Sequence, residues 1–216
     1  MSLRTAATAA LLFFSTASAH FVLTSPTSLE GTTIDDDKED NAPCGALLPD
    51  LSKNTTNTFH VDGDFIALQS GHPQVNWLFR GTLEDKGSGN WTQLYPIFTQ
   101  NGLGNYCQPV VKAPKEWVGK TGVVGIVSNA PDGLLYQCAV VNFVAGSNTP
   151  GSSCTNGSVN ADFNTDATLT GLLGTPSTAS STPTPRPTGS SAVSTSVSFG
   201  SLLVAMAMAA VGAGLL

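Results

Sequence analysis

The sequence predicts an all-β fold, an antiparallel β-sandwich of the immunoglobulin or fibronectin type, and three observations carry that reading. Short runs rich in Val, Ile, Phe and Trp recur at close spacing from residue 58 onward. Gly, Pro and Asn-Asp clusters separate them. No stretch of residues 20–156 carries the 3.6-residue apolar period of an amphipathic helix. Many short strands between turn residues form two packed sheets rather than helical layers.

Residues 1–19 hold Arg4, an apolar run from about residue 9 to 14 and the small-residue end Ala17-Ser18-Ala19. This is the pattern of a secretory signal peptide. Cleavage after Ala19 makes His20 the first residue of the working protein. His20-Phe21-Val22-Leu23 is apolar and β-prone before Ser25-Pro26 interrupts it, which predicts an edge strand. The acidic run Asp35-Asp36-Asp37-Lys38-Glu39-Asp40 follows, read as a solvated loop or as a lure for cations at modest ionic strength. Strands are predicted over 59–61 and 65–68, with Asp62-Gly63 as the turn between them. Ser70-Gly71-His72-Pro73 breaks the pattern before 75–79, and further strands are expected at 91–98, 110–111 and 123–127. Asn129-Ala130-Pro131-Asp132-Gly133 reads as a turn, and 134–144 as a long closing strand.

Residues 20–156 are enough for one core and one domain. From 157 to 189 the chain turns to Ser, Thr, Pro, Ala and Gly, expected to form an O-glycosylated stalk, although 161–173 read ambiguously. Residues 190–216 end in an uncharged apolar stretch too short for a comfortable transmembrane helix. Small residues upstream of it fit a lipid-attachment signal of the GPI type, with Gly189 or Ser190 as the attachment residue. The expected location is the outer face of the plasma membrane or the cell wall. Three sequons, at Asn54, Asn90 and Asn156, agree with a secretory route. The four cysteines Cys44, Cys107, Cys138 and Cys154 predict two disulfides, and spacing leaves three connectivities open. A formal net charge of −6 with no basic cluster argues against nucleic acid as a partner.

An N-terminal histidine offers its α-amino group and its imidazole Nδ1 to one metal. A second imidazole completes a three-nitrogen set of the kind that suits Cu(II), with zinc the competing ion. His72, in the break between strands, is the leading partner, and His60 lies inside a strand among apolar residues. The amine and imidazoles must be unprotonated to bind, with ordinary pKa values of about 7.7–8.0 and 6.5, so loading weakens in acid.

These residues carry a resemblance. The His20-Phe21-Val22-Leu23 start, the acidic run leading to Pro43-Cys44-Gly45, and Pro73-Gln74 after His72 resemble the fungal copper acquisition factor family. So do Gly102-Leu103-Gly104 before Cys107 and the stretch Asp132-Gly133-Leu134-Leu135-Tyr136-Gln137-Cys138-Ala139. Members are GPI-anchored and related in fold to lytic polysaccharide monooxygenases. The resemblance implies a monooxygenase-like sandwich with disulfides Cys44–Cys138 and Cys107–Cys154, and copper held by His20 and His72. It also implies an aspartate near the metal, expected two residues after the third cysteine, where this chain has Val140. Asp62 and Asp64 stand as alternative carboxylates. No aspartate ligand is assigned from the sequence.

The leading function is a cell-surface copper-binding protein that captures Cu(II) and passes it to a membrane copper transporter. The second is a copper monooxygenase on cell-wall polysaccharide, which wants an aromatic-bearing flat face; Trp77, Trp91 and Trp117 are the candidates, with two of them in strand-like runs. The third is a structural wall glycoprotein with incidental histidines. Hydrolysis is disfavoured, because no carboxylate pair and no G-x-S-x-G context stands out.

Overall fold

The computed structural model describes residues 20–31, 35–45, 47–52, 57–87 and 89–174. The predicted signal peptide, Asn54, Gly189, Ser190 and the apolar tail lie outside the described residues.

The strands build two sheets. The smaller contains β1 (Phe21–Ser25), β3 (Asp64–Ser70) and β6 (Gly104–Val111), in the order β1-β3-β6. The larger contains β2 (Asn57–His60), β4 (Gln74–Thr82), β5 (Thr92–Asn101), β7 (Thr121–Ala130), β8 (Gly133–Val144) and β9 (Asn160–Phe163), in the order β2-β8-β7-β4-β5-β9. This is the expected β-sandwich, with one refinement: β2 runs parallel to β8, while every other named pair is antiparallel. Both disulfides implied by the resemblance are present, Cys44–Cys138 and Cys107–Cys154.

Alternation of side chains along each strand delivers one face to the core. On β8 the inward set includes Leu135, Ala139, Val141 and Phe143, which join Phe21, Leu23, Ile66, Leu68, Trp77 and Phe79 between the sheets. Trp77, Trp91 and Trp117 are all buried, so none of them supplies an exposed aromatic face. β1 is an edge strand, as predicted, and two contacts fix it in place. Phe21 packs edge-to-face on Trp77 with ring centroids 5.1 Å apart. Gln137, reaching inward from β8, accepts a hydrogen bond from the Leu23 N–H at 2.9 Å and donates to the Phe21 carbonyl. Thus a side chain substitutes for a pairing strand on the outer edge of β1.

Gln137 also donates to Glu39 at 2.9 Å, and Glu39 is fully buried. The acidic run is therefore mixed in role. Asp35, Asp37 and Lys38 face solvent, and Lys38 pairs with Asp35 at 2.6 Å. Glu39 instead buttresses the N-terminal strand from behind.

The packed chain runs past residue 156, where composition places the start of the stalk. β9 pairs with β5, and a short helix α1 (Ala167–Thr170) buries Leu169 completely. Asp166 caps α1 by accepting from the Thr168 and Leu169 N–H groups, and it accepts again from Asn76 and Asn129. Leu172 closes the segment: its carbonyl accepts from Arg80, a buried guanidinium lying 4.0 Å over the Trp91 ring. Burial pushes the Arg80 pKa down to about 10.

Candidate metal centre

The backbone brings two of the predicted ligands, His20 and His72, into neighbouring positions at one end of the sandwich. β1 and β3 pair with Phe21 opposite Ser70, and the ladder continues one step as the Gly71 N–H donates to the His20 carbonyl at 2.9 Å. The next residue is His72. The Gly71-His72-Pro73 break thus carries the chain from the smaller sheet to β4 of the larger sheet, directly beside the first residue of β1. The Ser70 hydroxyl accepts the His72 N–H at 3.1 Å, and the Gly102 N–H donates to the Pro73 carbonyl at 2.8 Å. Backbone contacts on both sides therefore fix where His72 sits.

His72 is only 5% exposed, yet its Nε2 has no hydrogen-bond partner. Such an orphaned buried nitrogen is uncommon in a folded protein and asks for a reason. The nearest charged group is Asp132, whose Oδ1 lies 3.1 Å from Nε2 without the alignment of a hydrogen bond. Asp132 occupies a two-residue loop, Pro131-Asp132, set by the pairing of Ala130 with Gly133 across the β7–β8 hairpin. Gly133 takes φ +119°, a conformation that side-chain-bearing residues rarely adopt, which lets the hairpin close tightly under Asp132. The Asp132 side chain remains 41% exposed, so the group facing His72 also faces solvent.

Among the described residues no three His, Cys, Asp or Glu side chains converge as a metal cluster. The donor atoms that face one another here are His72 Nε2 and the Asp132 carboxylate, with His20 the neighbouring residue across the Gly71 hydrogen bond. Nitrogen donors with a single carboxylate match Cu(II) better than Mg(II) or Ca(II), which prefer all-oxygen shells.

The other sequence candidates sit elsewhere. Val140 is buried in the middle of β8, roughly 23 Å along the strand from Gly133 at about 3.3 Å per residue. Val140 is thus well removed along β8 from Asp132, the carboxylate that faces His72. Asp64 lies at the opposite end of β3 from Ser70 and is committed to His60, accepting from its backbone N–H and contacting its Nδ1, both at 2.8 Å. Asp62 accepts from the Gly146 N–H and faces Lys115 at 3.4 Å. His60, Asp62 and Asp64 form a structural cluster around the β2–β3 turn. Asp132 is the functional candidate that sequence reasoning passed over. Its signal lies in the Asp132-Gly133 stretch itself, which carries part of the resemblance and also has the composition of a turn.

The two described sequons differ in setting. Asn90, exposed with φ +51°, donates from Nδ2 to Glu84 at 2.9 Å. Asn156, also exposed, uses Oδ1 to accept the Cys107 N–H at 2.7 Å.

Residues 18–159 match the family described as copper acquisition factor BIM1-like. An uncharacterised protein of Aspergillus fumigatus is 33% identical over 156 residues, covering 68% of this chain and 62% of the relative.

Proposed function

The chain belongs to the BIM1-like copper acquisition factor family, and from that membership we propose that its processed N-terminus binds Cu(II) as cargo for uptake rather than as a catalytic cofactor. The observation that carries the proposal is the buried His72 Nε2, unpartnered in hydrogen bonding, facing Asp132 beside the start of β1. In this reading residues 1–19 are removed, and the His20 amine and imidazole join His72 around the ion. Asp132 balances part of its charge while leaving the ion open toward solvent. A centre at a sandwich end, built from a turn, a strand break and a chain terminus, can be reached by a partner that takes the metal.

The polar chain beyond the folded part is a stalk, and exchange of the apolar tail for lipid at Gly189 or Ser190 holds the domain at the cell surface. A membrane copper transporter is the recipient. The burial of all three tryptophans supports a carrier over an oxidase that lies flat on a glycan. The test is to load the secreted protein with one Cu(II), add reductant with cell-wall polysaccharide, and in parallel offer a competing chelator. The proposal expects copper to pass to the chelator and no oxidised oligosaccharides to appear. Copper-dependent release of oxidised sugars overturns the carrier reading in favour of a monooxygenase.

A further inference from the structure

A second feature lies along the seam between the edge strands β6 and β9. A cavity of about 310 Å³ opens there, lined in part by Tyr95, Phe98, Tyr106, Val159, Phe163 and Asn156. Phe163 is 73% exposed on a strand whose four residues are all exposed. Its ring stands 6.0 Å from that of Tyr95, and Tyr95 stacks edge-on to Phe98 at 5.8 Å. An exposed edge strand bearing a large apolar residue invites unwanted pairing unless something covers it.

Asn156 is the first residue of the sequon Asn156-Gly157-Ser158. Its segment is fixed against β6 by the Cys107–Cys154 disulfide and by the Gly157 N–H donating to the Asn105 carbonyl at 2.8 Å. Its Oδ1 is engaged by the Cys107 N–H, which orients the amide and leaves Nδ2 as the atom to be modified. We propose that an N-glycan attached at Asn156 lays its first N-acetylglucosamine into this seam, against Phe163 and Tyr95, and so covers the β9 edge. In the attachment step a lipid-diphosphate oligosaccharide is the donor. The bond from Nδ2 to the sugar C1 forms, the bond from C1 to the diphosphate oxygen breaks, and one amide proton is released. The apolar faces of the sugar ring meet the aromatic faces, while its hydroxyls remain in water. A sugar tethered at the cavity's own rim needs no separate binding affinity, because attachment makes its local concentration high. The inference rests on the secretory route proposed above and is independent of copper.

The test uses the protein secreted from a eukaryotic host, with site occupancy read by peptide mass spectrometry. Ser158→Ala removes the sequon but keeps the Asn156 hydrogen bond to Cys107, which Asn156→Gln would disturb. The expected result is full occupancy at Asn156, a fall of a few degrees in Tm for Ser158→Ala, and a similar fall for Phe163→Ala. The double variant should lose no more than either single one, because both remove the same contact. Trimming the glycan to its first sugar should preserve the Tm. An unoccupied Asn156, additive losses in the double variant, or loss of the stabilisation on trimming to one sugar would each overturn the proposal.

Discussion

Replacing Gln137 by Leu tests how the fold holds the N-terminal strand in place. The side chain is buried and makes three hydrogen bonds, to the Leu23 N–H, the Phe21 carbonyl and the Glu39 carboxylate. Leucine has similar bulk but no polar atom. Two backbone groups of β1 lose their partners at about 1–3 kcal/mol each, and a hydrogen bond to a carboxylate adds about 1.5–3 kcal/mol. The terms share one site and do not add fully. The new apolar contact returns part of the loss, which leaves a net destabilisation of about 4 kcal/mol. That corresponds to a fall in Tm of roughly 10 °C for a chain of this size. Thermal and urea unfolding measure the global cost, and hydrogen exchange at the Leu23 amide measures the local one. Copper affinity should fall as well, since His20 precedes the loosened strand. A loss under about 1 kcal/mol with unchanged protection at Leu23 would refute the claim that Gln137 replaces a pairing strand.

Asp132→Ala should lower Cu(II) affinity roughly 10–100-fold, in the range seen when groups supporting metal ligands are removed, and leave Tm nearly unchanged; competition with a chromophoric chelator reads it, and unchanged affinity counts against a role for Asp132. Burial alone pushes the Asp166 carboxyl up, but hydrogen bonds from Asn76, the Leu169 N–H, Asn129 and the Thr168 N–H outweigh it and hold the pKa below the ordinary 3.8. The stability it contributes is therefore present above that ordinary value and lost as pH falls through the lower folded value; Asp166→Asn should narrow the difference in unfolding free energy between pH 6 and pH 2, measured by urea titration. Removing the Cys107–Cys154 bridge, which closes a loop with a sequence separation of 47, should cost about 2–4 kcal/mol in the Cys107→Ser/Cys154→Ser variant, and a variant with wild-type stability would show that the bridge constrains little.

The strands were legible from short β-prone runs in which Val75, Trp77 and Phe79 mark the face toward the core, although Leu78 between them is buried as well, on the other face against Leu169. The edge position of β1 followed from its shortness and the Ser25-Pro26 break. The disulfide pairing was legible only through family resemblance, since spacing alone leaves every connectivity open. What stayed hidden depended on sheet register. Asp132 meets His72 because the β7–β8 hairpin and the β3–β4 break end at the same edge of the sandwich, and they are 60 residues apart in the chain. The Gln137–Glu39 contact spans 98 residues and links a strand to a loop whose composition looks entirely solvated. The folded segment after residue 156 escaped notice for a different reason. Its polar residues are engaged in capping and edge pairing, and Leu169 is its one fully buried residue.

The proposed centre holds copper through the amine and imidazole of a processed His20 together with His72. Its most direct measurement is a Cu(II) titration followed by electron paramagnetic resonance, on protein beginning at His20 and on the same protein extended by one N-terminal Ala. The protein beginning at His20 should give an axial, three-nitrogen signal saturating at one copper per chain. The extended protein should lose that signal, because the amine no longer belongs to His20. Identical spectra and affinities from the two proteins would contradict the proposed centre and return the histidines to a purely structural role.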